Sequence, residues 1–183
     1  MTALASHSQL RASFVRWLLV AVPGVVLLGF LAGQVGGNAD SLWFQSLEKP
    51  AIFPPPATFG IVWGILYAVM GVALALVGAA YGARRRKLAL TLFAIQLLLN
   101  LAYTPLFFGA QQITAALVLL LALNVAVVAT TFVFWQVRRA AGLLMLPYLA
   151  WVAFATVLNW QFLQLNPNAD GGRVSGGVEQ AAI

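Results

Sequence analysis

The chain has 183 residues, of which 62% are hydrophobic and only 8% are charged, and its mean hydropathy is +0.93. This composition excludes a soluble globular domain, and the absence of cysteine excludes disulfides and thiolate metal sites. The net charge of +6 comes from basic residues between apolar runs, so it reflects membrane topology and gives no reason to propose nucleic-acid binding.

Five apolar runs are each long enough to cross a bilayer, which takes about 20 mostly apolar residues. The predicted spans are Phe14–Gly36, Ala57–Tyr81, Leu88–Phe108, Ile113–Trp135 and Ala141–Leu163. They predict an all-α integral membrane protein with one membrane domain at residues 14–165, a polar tail at residues 1–13 and a disordered tail at residues 166–183. The basic start also resembles a signal peptide, but the first apolar run continues to about Val35, which favours a retained helix.

The longest interruption of the apolar sequence is the stretch from residue 43 to residue 63, between the first two spans. It contains Pro50, the consecutive prolines 54–56, five aromatic residues and the charged pair Glu48 and Lys49. Proline fixes φ and removes the backbone donor, so the segment cannot be one continuous helix. We interpret it as an ordered loop that folds over one end of a helical bundle, with the next helix starting near Ala57.

Polar and aromatic side chains recur at helical spacing on the later spans. The second span carries Trp63 and Tyr67; the third carries Gln96, Asn100, Tyr103, Thr104 and Phe107; the fourth carries Asn124, Thr131 and Trp135; the fifth carries Tyr148, Trp151, Ala155 and Asn159. Amides at membrane depth are costly against lipid, so these stripes should face protein or a cavity. Two interpretations stay open, a ligand pocket or hydrogen bonds between neighbouring helices.

Charged groups are absent from the interior of all five spans. The carboxylates are Asp40, Glu48, Asp170 and Glu179, all outside the spans, and the single histidine, His7, lies in the amino-terminal tail. Ion-coupled transporters and pumps usually need an intramembrane ionisable group, so this class is disfavoured. No acid/base pair and no metal-ligand cluster is visible. The sequence therefore predicts a pocket for a flat, mostly apolar ligand, with no required cofactor.

Basic residues are distributed asymmetrically between the two ends of the predicted bundle. Eight of the ten lie on the side of the amino terminus, in the tail, after the second span and after the fourth span. The positive-inside rule then predicts a cytoplasmic amino terminus. We expect the membrane to be the inner membrane of a bacterial cell.

Five sequence blocks resemble the TspO/translocator protein family, also called tryptophan-rich sensory proteins. The blocks are WFQSLEKPAIFPPP, IVWGILY, QLLLNLAYTPLFFGAQQ, ATTFVFWQV and PYLAWVAFATVLNW, in that order. The resemblance covers about residues 43–166. It implies a five-helix bundle, usually a homodimer, that binds porphyrins, sterols and benzodiazepine-site ligands beneath its first loop.

Carried over by position, the resemblance implies pocket residues Trp63, Asn100, Trp151, Phe154, Ala155 and Leu158. To these the stripes add Tyr67, Gln96, Tyr103, Phe107 and Tyr148. The implied lid comprises Trp43, Lys49, Pro50, Pro54 and Pro55. Two departures stand out, since Ile52 replaces a tryptophan of many bacterial members, and no basic residue follows Trp160 to complete the sterol-associated pattern of animal members.

We therefore expect a membrane ligand-binding or sensory protein for protoporphyrin-like tetrapyrroles. Lys49 is a candidate partner for a propionate, or is paired with Glu48 or solvated. The alternatives are light- or oxygen-dependent porphyrin breakdown, with Trp63 and Trp151 as candidate redox residues, and passive transport of porphyrin or lipid. The expected partners are an apolar small molecule, membrane lipid and a second copy of the chain.

Overall fold

The structure, a computed structural model, describes residues 7–37 and 39–172 of the chain. Its helices are α1 (His7–Val35), the short α2 (Leu42–Ser46), α3 (Pro56–Gly78), α4 (Arg86–Thr104), α5 (Ile113–Val137) and α6 (Arg139–Leu165), with a π-helical turn at Pro105–Gly109 and a 3₁₀ turn at Asp170–Gly172. In the described part, five helices are long and apolar enough to cross a membrane. The predicted five-helix, all-α architecture is confirmed.

The helices around the bundle do not follow chain order. The closest pairings are α1 with α3, α3 with α6, α6 with α5 and α5 with α4, and α4 returns more loosely to α3 and α1. The packed interior includes Met70, Val77, Phe134 and Met145, all fully buried. Large apolar side chains such as Val20 and Val125 stay exposed on the outer surface, as expected for helices whose solvent is lipid.

The ends of the helices differ from the predictions at both termini of the domain. α1 begins at His7, so residues 7–13 of the predicted polar tail belong to a helix that extends beyond its apolar run. At the other end, residues 166–172 are ordered, which corrects the prediction of disorder there; residues 173–183 lie outside the described part. The composition of that segment is polar, but its backbone and side chains are held by specific hydrogen bonds, described below.

Two glycines allow α1 and α3 to approach closely. A Cβ added at Gly71 would lie 2.6 Å from the Cα of Val22, and one added at Gly29 would lie 2.1 Å from the ring of Tyr67. Gly33, four residues after Gly29, has nothing within 4 Å of its Cβ position. The two glycines of the GxxxG pair therefore have different surroundings: Gly29 packs inside the bundle against Tyr67, and the Cβ position of Gly33 is open.

Pro105 ends α4 and changes its hydrogen-bonding register. Proline has no N–H to continue the helix, and the chain passes into a π-helical turn closed by the hydrogen bond from Ala110 N to Pro105 O at 2.8 Å. The turn places Phe107 inward, where it is 2% exposed. The predicted kink at Pro105 thus takes the form of a π-helical turn that adds an aromatic residue to the site.

Substituting Gly71 with alanine should destabilise the bundle, because the added methyl group meets backbone atoms of α1 that cannot rotate away. We expect a loss of about 1–3 kcal/mol, visible as a lower thermal midpoint in detergent. Gly64→Ala is the matched control on the same helix, since its Cβ position is open, and it should leave the midpoint unchanged or raise it. Equal effects of the two substitutions would contradict the close α1–α3 contact.

Candidate ligand-binding site

Residues 39–56, here called the lid, cover one end of the bundle. Ser41 caps α2, its hydroxyl accepting from Phe44 N at 3.2 Å. The cap starts a helical turn that turns Trp43 and Phe44 inward, and both are 4% exposed. Further along, Pro56 is the first residue of α3. The predicted ordered loop is confirmed.

Beneath the lid lies a cavity of about 210 Å³. It is bounded by the lid, α3, α4, the π-helical turn and α6, while α5 contributes no lining residue. The lining residues are Ala39, Phe44, Phe53, Pro56, Phe59, Trp63, Tyr67, Asn100, Tyr103, Thr104, Phe107, Phe108, Trp151, Ala155, Leu158, Asn159 and Phe162.

Aromatic rings form most of the cavity wall. Trp63 stacks on Tyr67, with centroids 5.2 Å apart and planes 25° from parallel. Trp151 meets Trp63 nearly at right angles, with centroids 6.4 Å apart. Nearer the lid, Phe53 packs 5.4 Å from Phe59, whose ring lies 6.0 Å from Trp151. Such surfaces offer both faces and edges to a flat conjugated molecule.

Polar groups are few, and two pairs connect the helices across the cavity. The Tyr67 hydroxyl donates to Asn100 Oδ1 at 2.8 Å, and Asn159 Nδ2 donates to the Tyr103 hydroxyl at 3.2 Å. Asn159 Oδ1 is buried and has no hydrogen-bond partner among the described residues. A buried acceptor without a partner is costly, so this wall of the cavity has unused capacity to accept a hydrogen bond.

Eight of the residues predicted from the sequence meet at this cavity. They are Trp63, Tyr67, Asn100, Tyr103, Phe107, Trp151, Ala155 and Leu158. Three others lie behind the wall. Tyr148 donates to Gln96 Oε1 at 2.9 Å in a fully buried pair, and Phe154 packs its ring 5.2 Å from that of Trp151. These three support the lining residues and do not line the cavity themselves.

The sequence reasoning missed several lining residues, most of them phenylalanines. Phe44 and Phe53 come from the lid, and Phe108 from the π-helical turn, where no helical spacing applies. Phe59 and Phe162 could have been predicted from the sequence, because they lie one turn from Trp63 and Leu158 on the same helix faces. A search for all aromatic residues on those two faces would have found them.

The polar stripe on α5 has a different role. Asn124 Nδ2 donates to Thr156 Oγ1 of α6 at 2.7 Å and to Leu120 O at 2.8 Å. The bond to Thr156 ties α5 to α6 away from the cavity, and the bond to Leu120 stays within α5. For this helix, the interpretation as hydrogen bonding between neighbours is the one that the structure supports.

None of the five predicted lid residues lines the cavity. Lys49 donates to the carbonyl oxygens of Phe44 and Leu47 at the end of α2, and burial lowers the pKa of its ammonium group below the ordinary value. Pro50 is buried within the lid, and the cavity is lined by Pro56 in place of Pro54 or Pro55. Ile52, the position of the family departure, is 42% exposed and outside the lining.

Trp43 and Asn166 connect the lid to the segment that follows α6. Trp43 Nε1 donates to Ala169 O at 2.9 Å. The Asn166 side chain accepts from Glu48 N at 2.9 Å and donates to Glu48 O at 3.0 Å, pairing with the lid backbone in both directions. It also donates to Phe162 O at 3.0 Å, which fixes it to the end of α6.

Asp170 attaches the same segment to α5. One carboxylate oxygen accepts from Ile113 N at 2.5 Å and from Thr114 N at 3.2 Å, capping the first turn of that helix. Residues 166–172, here called the clasp, therefore join the lid, α5 and α6. The clasp is the most specific polar structure at this end of the molecule.

A five-helix integral membrane protein with an aromatic cavity beneath an ordered lid is the class that this geometry defines. The chain belongs to the TspO/MBR family, whose model matches residues 20–165. It is 44% identical to the translocator protein of Homo sapiens over 80% of this chain and 88% of that one. It is 41% identical to the tryptophan-rich protein TspO of Chlorobaculum tepidum over 76% of this chain and 89% of that one, and 36% identical to protein CrtK of Rhodobacter capsulatus over 74% and 86%.

Replacing Asn166 with alanine should loosen the lid and leave the bundle folded. The substitution removes both hydrogen bonds to Glu48, an effect of about 1–3 kcal/mol, so amide exchange across residues 41–50 should accelerate about tenfold or more. Hydrogen exchange read by mass spectrometry gives the measurement, with exposed Asn168→Ala as the matched control. Unchanged exchange in Asn166→Ala would show that the clasp does not hold the lid.

Proposed function

We propose that this protein binds flat, mostly apolar tetrapyrroles such as protoporphyrin in the cavity beneath the lid. The observation that carries the proposal is the pair Trp63 and Trp151, whose rings meet nearly at right angles on adjacent walls. A macrocycle against one ring face therefore presents its edge to the other, and both arrangements are favourable for aromatic groups. A relative from Cereibacter sphaeroides carries the name tryptophan-rich sensory protein.

The size of the cavity implies that the lid moves when ligand binds. Sites for small molecules usually measure about 300–1,000 Å³, whereas this cavity measures about 210 Å³. The helices are fixed by buried packing, whereas the lid is held mainly by the clasp and by ring contacts of Phe44 and Phe53. Displacement of the lid is thus the least costly way to enlarge the site.

The polar atoms of the wall favour a ligand that donates hydrogen bonds. Asn159 Oδ1 has no partner among the described residues, and Asn100 Oδ1 already accepts from Tyr67. The inner N–H groups of a free-base porphyrin, or its carboxylic acids when protonated, are donors of this kind. In haem the iron replaces the hydrogens of the two inner N–H groups, so those two donors are lost. This pattern supports free-base porphyrin over haem.

Filling the cavity tests the site directly. Ala155→Leu adds three carbon atoms to the wall and should weaken protoporphyrin binding at least tenfold, measured by quenching of tryptophan fluorescence in detergent. Ala153→Leu is the matched control, since Ala153 lies on the exposed face of the same helix. Equal affinities of the two variants would place the ligand elsewhere and defeat the proposal.

The same titration with haem tests the metal preference. Iron in haem usually takes His, Cys, Met or Tyr as axial ligand. The chain has no cysteine, and His7 begins α1 at the end of the bundle opposite the cavity. Tyr67 and Tyr103 line the wall, but their hydroxyls are hydrogen-bonded to Asn100 and Asn159. We expect free-base porphyrin to bind at least as tightly as haem, and a six-coordinate haem spectrum lost in His7→Ala would contradict this.

The orientation in the membrane is part of the proposal. Basic residues are concentrated in the described segments at the end opposite the lid, namely Arg11, Arg16, Arg84–Lys87, Arg138 and Arg139. Lys49 is the only basic residue of the lid. By the positive-inside rule, this distribution supports a lid on the outer side of the membrane and an amino terminus in the cytoplasm. A reporter fused after residue 170 that is active in the cytoplasm would refute it. A homodimer stays a prediction.

A further inference from the structure

A second pocket lies at the end of the bundle opposite the lid, where three segments meet. Its lining residues are Leu10, Arg11 and Phe14 of α1, Leu76 of α3, Ala79 just after α3, and Arg138 between α5 and α6. It measures about 300 Å³ and is separated from the aromatic cavity by the length of the helices. No residue of this pocket contributes to the ligand site described above.

Two arginines reach this pocket from distant parts of the chain. Arg138 stands at the break between α5 and α6, with extended backbone torsions of −150° and 116° that interrupt the two helices. Arg11 lies in the first turns of α1, one residue after Leu10 and three before Phe14. Within residues 7–37 and 39–172, neither side chain forms an ion pair or hydrogen bond, so both guanidinium groups are available.

Among the described residues, no carboxylate lies at this end of the bundle. The described carboxylates are Asp40 and Glu48 in the lid and Asp170 in the clasp, all at the opposite end. Two basic neighbours already have partners, since Arg85 donates to Gln136 and Arg86 lies over the ring of Tyr81. Both guanidinium groups are exposed, so an anion that binds them comes from outside the described part of the chain.

The remaining walls of the pocket are apolar. Leu10 and Phe14 lie on one face of α1, and Leu76 and Ala79 stand one turn apart at the end of α3. This pocket lies where α3 ends at Gly78 and α6 begins at Arg139, so a bilayer crossed by these spans is expected to place its headgroups here. An anion with an attached hydrocarbon chain matches both features, because its phosphate meets the arginines and its chain continues along the apolar walls.

We propose that Arg11 and Arg138 form a binding site for one anionic phospholipid, with its phosphate between the two guanidinium groups. The bound lipid joins α1 to the α5–α6 junction, two parts of the bundle that are not close neighbours. Guanidinium groups suit this role because they remain charged and bind phosphate oxygens in pairs.

The test compares Arg11→Gln/Arg138→Gln with Arg84→Gln/Arg139→Gln, which removes the same charge from exposed arginines outside the pocket. Native mass spectrometry in detergent counts bound phosphatidylglycerol and phosphatidylcholine. Each arginine that is removed should weaken binding about fivefold, so the pocket variant should bind phosphatidylglycerol on the order of 20-fold more weakly. The control variant should bind it as tightly as the unmodified protein does. Phosphatidylcholine should bind weakly to all three proteins.

Three results would overturn the proposal. Equal losses in the two double variants would mean a general effect of surface charge. Glycerophosphoglycerol, the headgroup without chains, binding as well as the whole lipid would remove the role of the apolar walls. A pocket variant that loses a dimer while retaining its phosphatidylglycerol would make the pocket a contact between two copies. Gel filtration and circular dichroism confirm that each variant is folded.

Discussion

The paired hydrogen bonds between the side chain of Asn166 and the backbone of Glu48 hold the lid over the bundle, and the geometry of the cavity depends on them. The lid has little regular backbone hydrogen bonding along its length, and α2 has only five residues. Its position is therefore set by points of attachment. Asn166 supplies the most specific of these, and Trp43 and Asp170 extend the attachment to the clasp and α5. With the lid held there, Phe44 and Phe53 close the cavity.

This arrangement separates a rigid part of the site from a movable part. Trp63, Asn100 and Trp151 project from long helices that pack against the buried core. These side chains therefore cannot move far unless the bundle itself is disturbed. The lid contributes apolar contact, which is non-directional and can be made again in a displaced position. A protein built in this way can accept flat ligands of different outlines while fixing their orientation on the helical walls.

Much of the fold was predictable because the bilayer imposes strong constraints on sequence. Length and apolarity located all five spans, and helical spacing identified Trp63, Asn100 and Trp151 on faces that meet. The same spacing could not distinguish a face toward a cavity from one toward a neighbouring helix. Gln96 and Asn124 have the same chemistry as Asn100, yet their partners are Tyr148 and Thr156. That distinction depends on the order of helices around the bundle, which periodicity does not encode.

The clasp was missed for a related reason. Residues 166–172 have the composition of a flexible tail, and their order comes from bonds to positions more than 50 residues away, such as Glu48 and Ile113. Local sequence carries no signal for partners so distant. The π-helical turn after Thr104 was likewise visible only as a proline that would disturb a helix, although it places Phe107 in the wall.

The central claim, that the aromatic cavity is the ligand site and that the lid moves to admit ligand, is tested most directly by an experimental structure with protoporphyrin bound. The account predicts the macrocycle among α3, α4 and α6, in contact with Trp63 and Trp151, with the lid displaced outward and the helices in place. A macrocycle on the outer, lipid-facing surface, or one inside the bundle beneath a lid that has not moved, would contradict it.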